Sequence, residues 1–126
     1  MAAGLVDTNV VVDLLRGYEP AERWLVSIGQ LGVTRGVYFE IIEGVENKVQ
    51  LQAALNLLDR FETIEYTLTD MMWATDRLSE HWLSHKIDGY DCLIAAPSHR
   101  LQLPLYTRNL KHFAPLLGKL AQEPYT

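Results

Sequence analysis

The sequence predicts an α/β protein with three layers, α/β/α, around a central parallel sheet of four or five strands. Short apolar segments alternate along the chain with longer segments of helical periodicity. This alternation is typical of parallel strands that helices cover on both faces. The 126 residues suit one domain, 1–126, and 48% of them are hydrophobic, which is enough for an extensive core.

The first predicted strand and helix lie at the beginning of the chain. Residues 2–6 are apolar and are followed by Asp-Thr-Asn, a turn signal, and therefore predict a buried strand. A short helix is expected over residues 10–15, with Thr8 or Asn9 as its N-cap and a stop near Gly17.

Two further strands and three helices are expected in the next part of the chain. Pro20 begins a second helix, because proline is favoured in the first turn. Residues 31–34 predict the second strand. Helical spacing then covers residues 38–47 and 49–61, and residues 63–66 predict the third strand.

The last third of the chain predicts three helices and at least one strand. Thr69 is expected to cap a long helix, and Asp88 to open the next one. Pro97 should bend that second helix or end it early, because proline removes a helical hydrogen bond. Residues 103–107 predict a strand and residues 110–117 a short helix. The remaining tail offers one edge strand.

Acidic side chains stand where such a sheet binds ligands, at the carboxyl ends of its strands. Asp7 directly follows the first predicted strand. Successive residues of a helix are about 100° apart, which puts Glu40 at the border of the apolar arc of its helix. Gly44, one turn later, leaves space beside it. A boundary glutamate whose stem only covers apolar surface is an equal alternative.

A third acid, Asp91, begins an almost wholly apolar helix, Cys-Leu-Ile-Ala-Ala, and therefore lies beside the core. Asp88, three residues earlier, suits an N-cap or a supporting role. Asn109 follows the last predicted strand, where it is placed to cap a helical turn or to orient a water molecule. Carboxylates brought together raise one another's pKa, and a cation relieves their repulsion. Oxygen ligands favour Mg²⁺ or Mn²⁺ over zinc.

Composition limits the classes of function. The net charge of −5 counts against a nucleic-acid partner, unless acids that converge on one site bind cations there. The single cysteine, Cys92, permits no internal disulfide and fits a reducing cytoplasm. We expect neither a signal peptide nor a membrane span.

Four segments together resemble the motifs of PIN-domain ribonucleases, and of the VapC toxins of type II toxin–antitoxin systems in particular. Their order and spacing cover nearly the whole chain. They are Leu-Val-Asp-Thr-Asn-Val from Leu5, Glu-Ile-Ile-Glu-Gly from Glu40, Asp-Cys-Leu-Ile-Ala-Ala from Asp91, and Leu-Tyr-Thr-Arg-Asn-Leu-Lys-His-Phe from Leu105.

The resemblance implies a PIN-like fold and a cytoplasmic, metal-dependent endoribonuclease. Asp7, Glu40 and Asp91 would hold Mg²⁺ or Mn²⁺, partly through water. Asn109 would join them as a catalytic residue, together with Thr107, by positioning water or phosphate; it replaces an acid that many PIN domains carry, which leaves the number of metal ions open.

The partners implied by the resemblance are RNA (tRNA, rRNA or mRNA), a cognate antitoxin protein and a second copy of the chain. Hydrolysis would leave a 5′-phosphate. Candidates for contacts to the RNA backbone are Arg16, Arg108 and Lys111.

Several alternatives belong to other classes. A catalytically inert PIN-fold binding module, or an RNA-processing nuclease that is not a toxin, would share the same motifs. A signalling receiver domain would need an aspartate after its third strand, where Thr63-Ile64-Glu65-Tyr66-Thr67 has none. His81 and His85 have the spacing of zinc ligands but no third partner.

Overall fold

The computed structural model describes residues 1–126 as alternating short strands and helices. The strands are β1 (Leu5–Val6), β2 (Gly32–Thr34), β3 (Glu62–Ile64), β4 (Leu105–Tyr106) and β5 (Ala121–Gln122). The helices are α1 (Thr8–Leu15), α2 (Glu19–Ile28), α3 (Arg35–Glu43), α4 (Lys48–Leu58), α5 (Leu68–His85), α6 (Gly89–Leu101) and α7 (Leu110–Leu117). A single 3₁₀ turn, Gly118–Leu120, precedes β5.

The five strands form one sheet in the order β3-β2-β1-β4-β5, and every neighbouring pair is parallel. The three-layer α/β/α fold class and its parallel sheet are therefore confirmed, and the tail does supply an edge strand. The central strand β1 is fully buried, which explains its apolar composition. Leu5 pairs with Gly32 on one side and Leu105 on the other.

The core lies against the sheet and collects side chains from all parts of the chain. Its largest fully buried members include Phe113, Leu58, Ile87 and Ile94. Cys92 is also buried there, as expected of a small apolar residue. Gly4 faces Tyr106 so closely that an added Cβ would stand 2.7 Å from the ring, so the start of β1 admits only glycine without rearrangement. None of the helices is both long enough and apolar enough to cross a membrane.

Two predicted helix caps are wrong. Asp7, and not Thr8 or Asn9, caps α1, since its carboxylate accepts from the Thr8 amide. Thr67, and not Thr69, caps α5: its hydroxyl accepts from the Asp70 amide while Asp70 accepts from the Thr67 amide. This reciprocal capping box satisfies two amides at once, which a threonine within the first turn cannot do.

The bounds of α3 also differ from the prediction, and of the two effects predicted for Pro97 the early end of its helix is wrong. The helix α3 begins three residues earlier than predicted, at Arg35, and ends at Glu43, because Asn47 uses its side chain to cap α4. Pro97 does not end α6, which continues to Leu101. Residues Ile94 to Ser98 are buried, so core packing outweighs the hydrogen bond that Pro97 removes.

Candidate active site

The candidate site lies where the strand order reverses. The chain leaves β3 at one edge of the sheet and reaches β4 on the other side of β1. A ligand crevice is expected at such a switch point, at the carboxyl ends of β1 and β4. Asp7 directly follows β1 and Thr107 directly follows β4. The Thr107 hydroxyl donates to Asp7 Oδ2 at 2.8 Å, a contact that joins the two strand ends.

Asp7 is a buried carboxylate with an unfavourable charge environment. Its side chain is only 6% exposed, and its second oxygen accepts from the Thr8 amide at 2.7 Å. The pKa of Asp7 is raised to about 6 overall. Burial raises this pKa most, the hydrogen bonds from Thr107 and Thr8 lower it, and the charges of Asp91 and Glu40 raise it further. The charges that act on Asp7 are therefore both negative.

Glu40 points inward from α3 to the same place. The Thr8 hydroxyl donates to Glu40 Oε1 at 2.5 Å, so Thr8 bridges Asp7 and Glu40 through its amide and its hydroxyl. Partial burial raises the pKa of Glu40, and the charges of Asp91, Asp88 and Glu43 raise it further. The Glu40 side chain thus lies beside the other carboxylates of the site rather than on the solvent side of its helix.

Asp91 occupies the first turn of α6, and the Asp88 side chain caps that helix by accepting from the Asp91 amide at 2.9 Å. Burial and the charge of Asp88 raise the pKa of Asp91, while His112 lowers it. His112 Nδ1 lies 2.8 Å from Asp91 Oδ2. This histidine was given no role at the sequence level, although its place three residues after Asn109 put it at the same edge of the sheet.

Asn109 is the N-cap residue of α7, but its side chain forms no capping hydrogen bond. Its backbone amide donates to the Thr107 hydroxyl at 2.9 Å. Thr107 therefore accepts from one side of the turn and donates to Asp7 on the other. The half-buried Asn109 side chain remains available beside this turn.

The donor chemistry of these residues fits a hard divalent cation. All three predicted ligands are carboxylates, and each has its pKa raised by the charge of another acid, the repulsion that a cation relieves. As they stand, no three acidic, histidine or cysteine side chains lie close enough together to hold an ion directly. An ion at this site therefore needs water ligands or a side-chain rotation. His81 and His85, whose rings lie 5.2 Å apart on α5, belong to no such group either.

An apolar groove of about 420 Å³ begins beside Glu40. Val12, Leu15 and Arg16 of α1 form one wall. Ile41 and Gly44, from α3 and the residue after it, form another, and the far end reaches Ala53 of α4. Gly44 thus leaves open space next to the acid, as the spacing of the two residues predicted.

Comparison with known proteins places the chain in a family. The PIN-domain profile matches residues 4–114. Ribonuclease VapC19 of Mycobacterium tuberculosis is 35% identical over 130 aligned positions that cover 96% of this chain and 98% of the relative.

Solved structures share the fold. A toxin–antitoxin complex from Klebsiella pneumoniae contains a chain with a TM-score of 0.80 and 26% identity, covering 97% of this chain and 98% of that one. DNA-bound VapBC from Salmonella typhimurium gives a TM-score of 0.73 at 21% identity, with 90% and 91% covered. FitAcB from Neisseria gonorrhoeae gives 0.68 at 22% identity, with 87% and 91% covered. The chain belongs to the PIN-domain family, in the branch of the VapC ribonucleases.

Proposed function

We propose that the protein is a metal-dependent endoribonuclease and the toxin of a toxin–antitoxin pair. The observation that carries the proposal is Asp7, a buried carboxylate at the switch point of the sheet that faces two further carboxylates, Glu40 and Asp91. A fold gains nothing from such repulsion, so the arrangement indicates a site that binds a cation. The likeness to Ribonuclease VapC19 supports RNA as the substrate.

Asp7, Glu40 and Asp91 would hold Mg²⁺ or Mn²⁺, with water completing the coordination. A bound divalent cation activates water and neutralises the charge that develops on a phosphodiester during in-line attack. Thr8 and Thr107 fix the orientation of the acids through the hydrogen bonds described above. His112 orients Asp91, and the Asn109 side chain is placed to position water or a phosphate oxygen.

The three basic residues suggested for RNA contacts differ in their availability. The Arg108 guanidinium is bound to Asp13 at 2.8 Å, which leaves it committed within the protein. Arg16 also contacts Asp13, but its side chain is 60% exposed and lines the groove with Glu40. Lys111 is exposed in the first turn of α7. We therefore assign the contacts with the RNA backbone to Arg16 and Lys111, and not to Arg108.

An antitoxin is the protein partner that the proposal requires. The apolar groove beside Glu40 suits an apolar segment of such a partner, and the Glu40 carboxylate in its lining suits a basic residue. The related structures are toxin–antitoxin, VapBC and FitAcB assemblies, which agrees with this type of partner. The cytoplasm, where RNA and a coexpressed antitoxin meet, is the proposed place of action.

One face of α5 suits a second copy of the chain. Trp82 and Leu83 are 48% and 82% exposed, and Leu68 and Met72 on the same face are also exposed. Trp73, by contrast, packs against the core and stacks on His99 at 4.8 Å. We propose a homodimer through this face of α5. Light scattering should give twice the chain mass for the wild type and the single-chain mass for Leu83→Glu.

The experiment that tests the proposed function is cleavage of a mixed tRNA, rRNA and mRNA pool under three conditions. Wild-type protein is incubated with Mg²⁺ or with EDTA, and Asp7→Asn is incubated with Mg²⁺. We expect discrete cuts with 5′-phosphate ends from the wild type in Mg²⁺ alone. The amide keeps the shape of Asp7 but removes the charge that a cation needs.

The alternatives predict other outcomes. Equal cutting under all three conditions would contradict metal-dependent hydrolysis at this site. An inert PIN-fold binding module would cut nothing and would show no Mn²⁺ binding in an equilibrium titration. A processing nuclease that is not a toxin would cut RNA, but its expression in bacteria without an antitoxin would not arrest growth.

A further inference from the structure

A second buried aspartate, Asp13, lies about a turn and a half beyond Asp7 in α1 and has three donors, two of them from distant parts of the chain. Arg108 donates to its Oδ2 at 2.8 Å, and the Tyr125 hydroxyl donates to the same oxygen at 2.7 Å. Arg16 contacts the other oxygen at 3.1 Å. Asp13 is only 5% exposed, whereas the Arg108 and Arg16 side chains are 33% and 60% exposed. The contact with Arg108 is therefore the more protected of the two ion pairs.

Two neighbouring aromatic rings contact the Arg108 guanidinium. It lies 5.4 Å from the centroid of the Tyr18 ring and 5.5 Å from that of Tyr125, within the range of cation–π contacts. Tyr18 in turn donates to the backbone oxygen of Thr126 at 2.7 Å. The planar guanidinium is therefore held by two rings and one carboxylate, which leaves it a single orientation.

Arg108 lies between the two residues that complete the candidate site. The Thr107 hydroxyl before it donates to Asp7, and the Asn109 amide after it donates to the same Thr107 hydroxyl. The Arg108 backbone amide is also bound, because it donates to the Asn9 side chain at 3.2 Å. Both the backbone and the side chain of Arg108 thus connect the turn after β4 to helix α1.

The segment 121–126 reaches this network through the sheet. Its strand β5 pairs with β4, and the Gln122 carbonyl accepts from the Thr107 amide at 2.9 Å. The chain then places Tyr125 against Asp13 and beside Trp24, with ring centroids 5.9 Å apart. The same segment therefore contacts the turn twice, once at the backbone of Thr107 and once at the side chain of Arg108.

We propose that Tyr125, Asp13 and Arg108 are positioning residues that hold the Thr107–Asn109 turn in register with Asp7, so that the segment 121–126 is part of the active-site apparatus. The proposal rests on the proposed nuclease function. None of the three residues contacts the carboxylates of Glu40 or Asp91, and they act on the site only through the turn. If the Arg108 side chain loses its bond to Asp13, we expect the turn to change conformation. The Thr107 hydroxyl and the Asn109 side chain would then move away from their present positions.

The test compares two tyrosines that each lose only a hydroxyl group. Tyr125→Phe keeps the ring over Arg108 and removes the donor to Asp13. Tyr38→Phe is the matched control, since its partly buried hydroxyl bonds to Thr63 at 3.1 Å, outside the turn. For each variant we would measure kcat and KM on the RNA that the wild type cuts, the Kd for Mn²⁺, and hydrogen exchange of the Arg108 and Asn109 amides.

We expect Tyr125→Phe to lower kcat about tenfold, at the low end of the effect of outer partners on metal sites, while KM changes less than about twofold. The Arg108 and Asn109 amides should exchange faster, and Mn²⁺ should bind more weakly. Tyr38→Phe should leave all these values unchanged. Tyr125→Leu, which also removes the ring, should show a larger loss of kcat than Tyr125→Phe.

An unchanged kcat in Tyr125→Phe would overturn the proposal, whether or not the two amides exchange faster. Equal losses in Tyr125→Phe and Tyr38→Phe would also overturn it, because they would indicate a general effect on stability. If the wild type cuts no RNA, the nuclease function fails by itself. In that case, faster amide exchange together with weaker Mn²⁺ binding in Tyr125→Phe would still support the positioning role of the three residues. The absence of either change would contradict it.

Discussion

Asp7 and Asp13 lie near the two ends of the same short helix, and their residues are only 6% and 5% exposed. The pKa values of their carboxyl groups nevertheless shift in opposite directions. Burial and two neighbouring acids raise the pKa of Asp7 to about 6. Burial also acts to raise the pKa of Asp13, but hydrogen bonds from Arg108 and Tyr125 and the charge of Arg108 outweigh it and lower the pKa.

The difference shows that the partners of a carboxylate, and not its solvent exposure alone, separate a stabilising acid from a functional one. Asp13 has a complete set of donors and contributes to the fold. Asp7 has two hydroxyl or amide donors but no cation of its own, and therefore weakens the fold at neutral pH. Such a destabilised group is expected where a ligand supplies the missing charge.

The largest expected effect on stability is that of Asp13→Asn. The amide retains one acceptor but leaves two arginines and the Tyr125 hydroxyl around a neutral group. We expect a loss of about 3 kcal/mol in the free energy of unfolding, the upper end for hydrogen bonds to a charged group. Urea denaturation at pH 7 measures it. Asp76→Asn, an exposed position on α5, is the control and should change little. An equally stable Asp13→Asn variant would remove the contrast between the two aspartates.

Asp7→Asn should stabilise the metal-free protein. The folded pKa of about 6 lies above the ordinary 3.8, so the wild type loses stability as the pH rises from about 4 through 6. That interval corresponds to roughly 3 kcal/mol, and the poorer fit of an amide to its two donors reduces the gain to about 2 kcal/mol. The gain should be complete above pH 7, and below pH 4 it should become a loss of about 1 kcal/mol, because only the poorer fit of the amide remains.

Thermal unfolding in EDTA at several pH values measures this gain. Glu40→Gln serves as the comparison, because Glu40 is less buried and should give a smaller increase with the same sign. A variant of Asp7 that is less stable than the wild type at pH 8 would show that its hydrogen bonds outweigh the repulsion.

Mn²⁺ should distinguish the two aspartates by a smaller effect. A ligand that binds only the folded state at ten times its Kd adds about 1.4 kcal/mol to the stability of the protein. The wild type should gain this stabilisation in full and Asp13→Asn in part, because the Asp13 network holds the Thr107–Asn109 turn beside Asp7. Asp7→Asn should lose most of it. Thermal unfolding across a Mn²⁺ titration provides the measurement. Equal stabilisation of all three proteins would mean that the ion binds elsewhere.

The smallest effect is expected from Arg16→Gln, which removes the exposed partner of Asp13. If Arg16 contacts one phosphate, the slope of log affinity against log salt for single-stranded RNA should fall by about 0.7. Fluorescence anisotropy in the inactive Asp7→Asn background gives this slope. Arg23→Gln, an exposed arginine paired with Glu19 on α2, should leave the slope unchanged. A fall of equal size in both variants would contradict a specific contact.

The parts of the fold that follow local rules were predictable. Leu5 and Val6 precede a polar turn and are buried on both faces, so the central strand was clear from its composition. Asp88 was also recognised as a cap, because an aspartate before an apolar helix has few other roles. The helix start at Thr67 was missed because Thr69 is an equally good cap in isolation.

The candidate site divides in the same way. Asp7, Glu40 and Asp91 stand out because each lies at a strand end or an inward helix edge. His112 and the Asp13 network did not, because their roles depend on partners 21 to 112 residues away. A tyrosine near the end of a chain carries no local sign that it bonds to an aspartate of the first helix. Such contacts follow from the strand order 3-2-1-4-5, which periodicity does not define.

The same strand order has a consequence for synthesis on the ribosome. The contact of Asp7 with Thr107 cannot form until the ribosome has added 100 more residues, and that of Asp13 with Tyr125 needs 112 more. A nascent chain grows at about 5–20 residues per second, so the first helix is exposed for several seconds before its partners are made. No translation product that ends before Thr107 contains both halves of the site. A nuclease built in this way cannot cut the message or the ribosome that is producing it until the turn after β4 has been made.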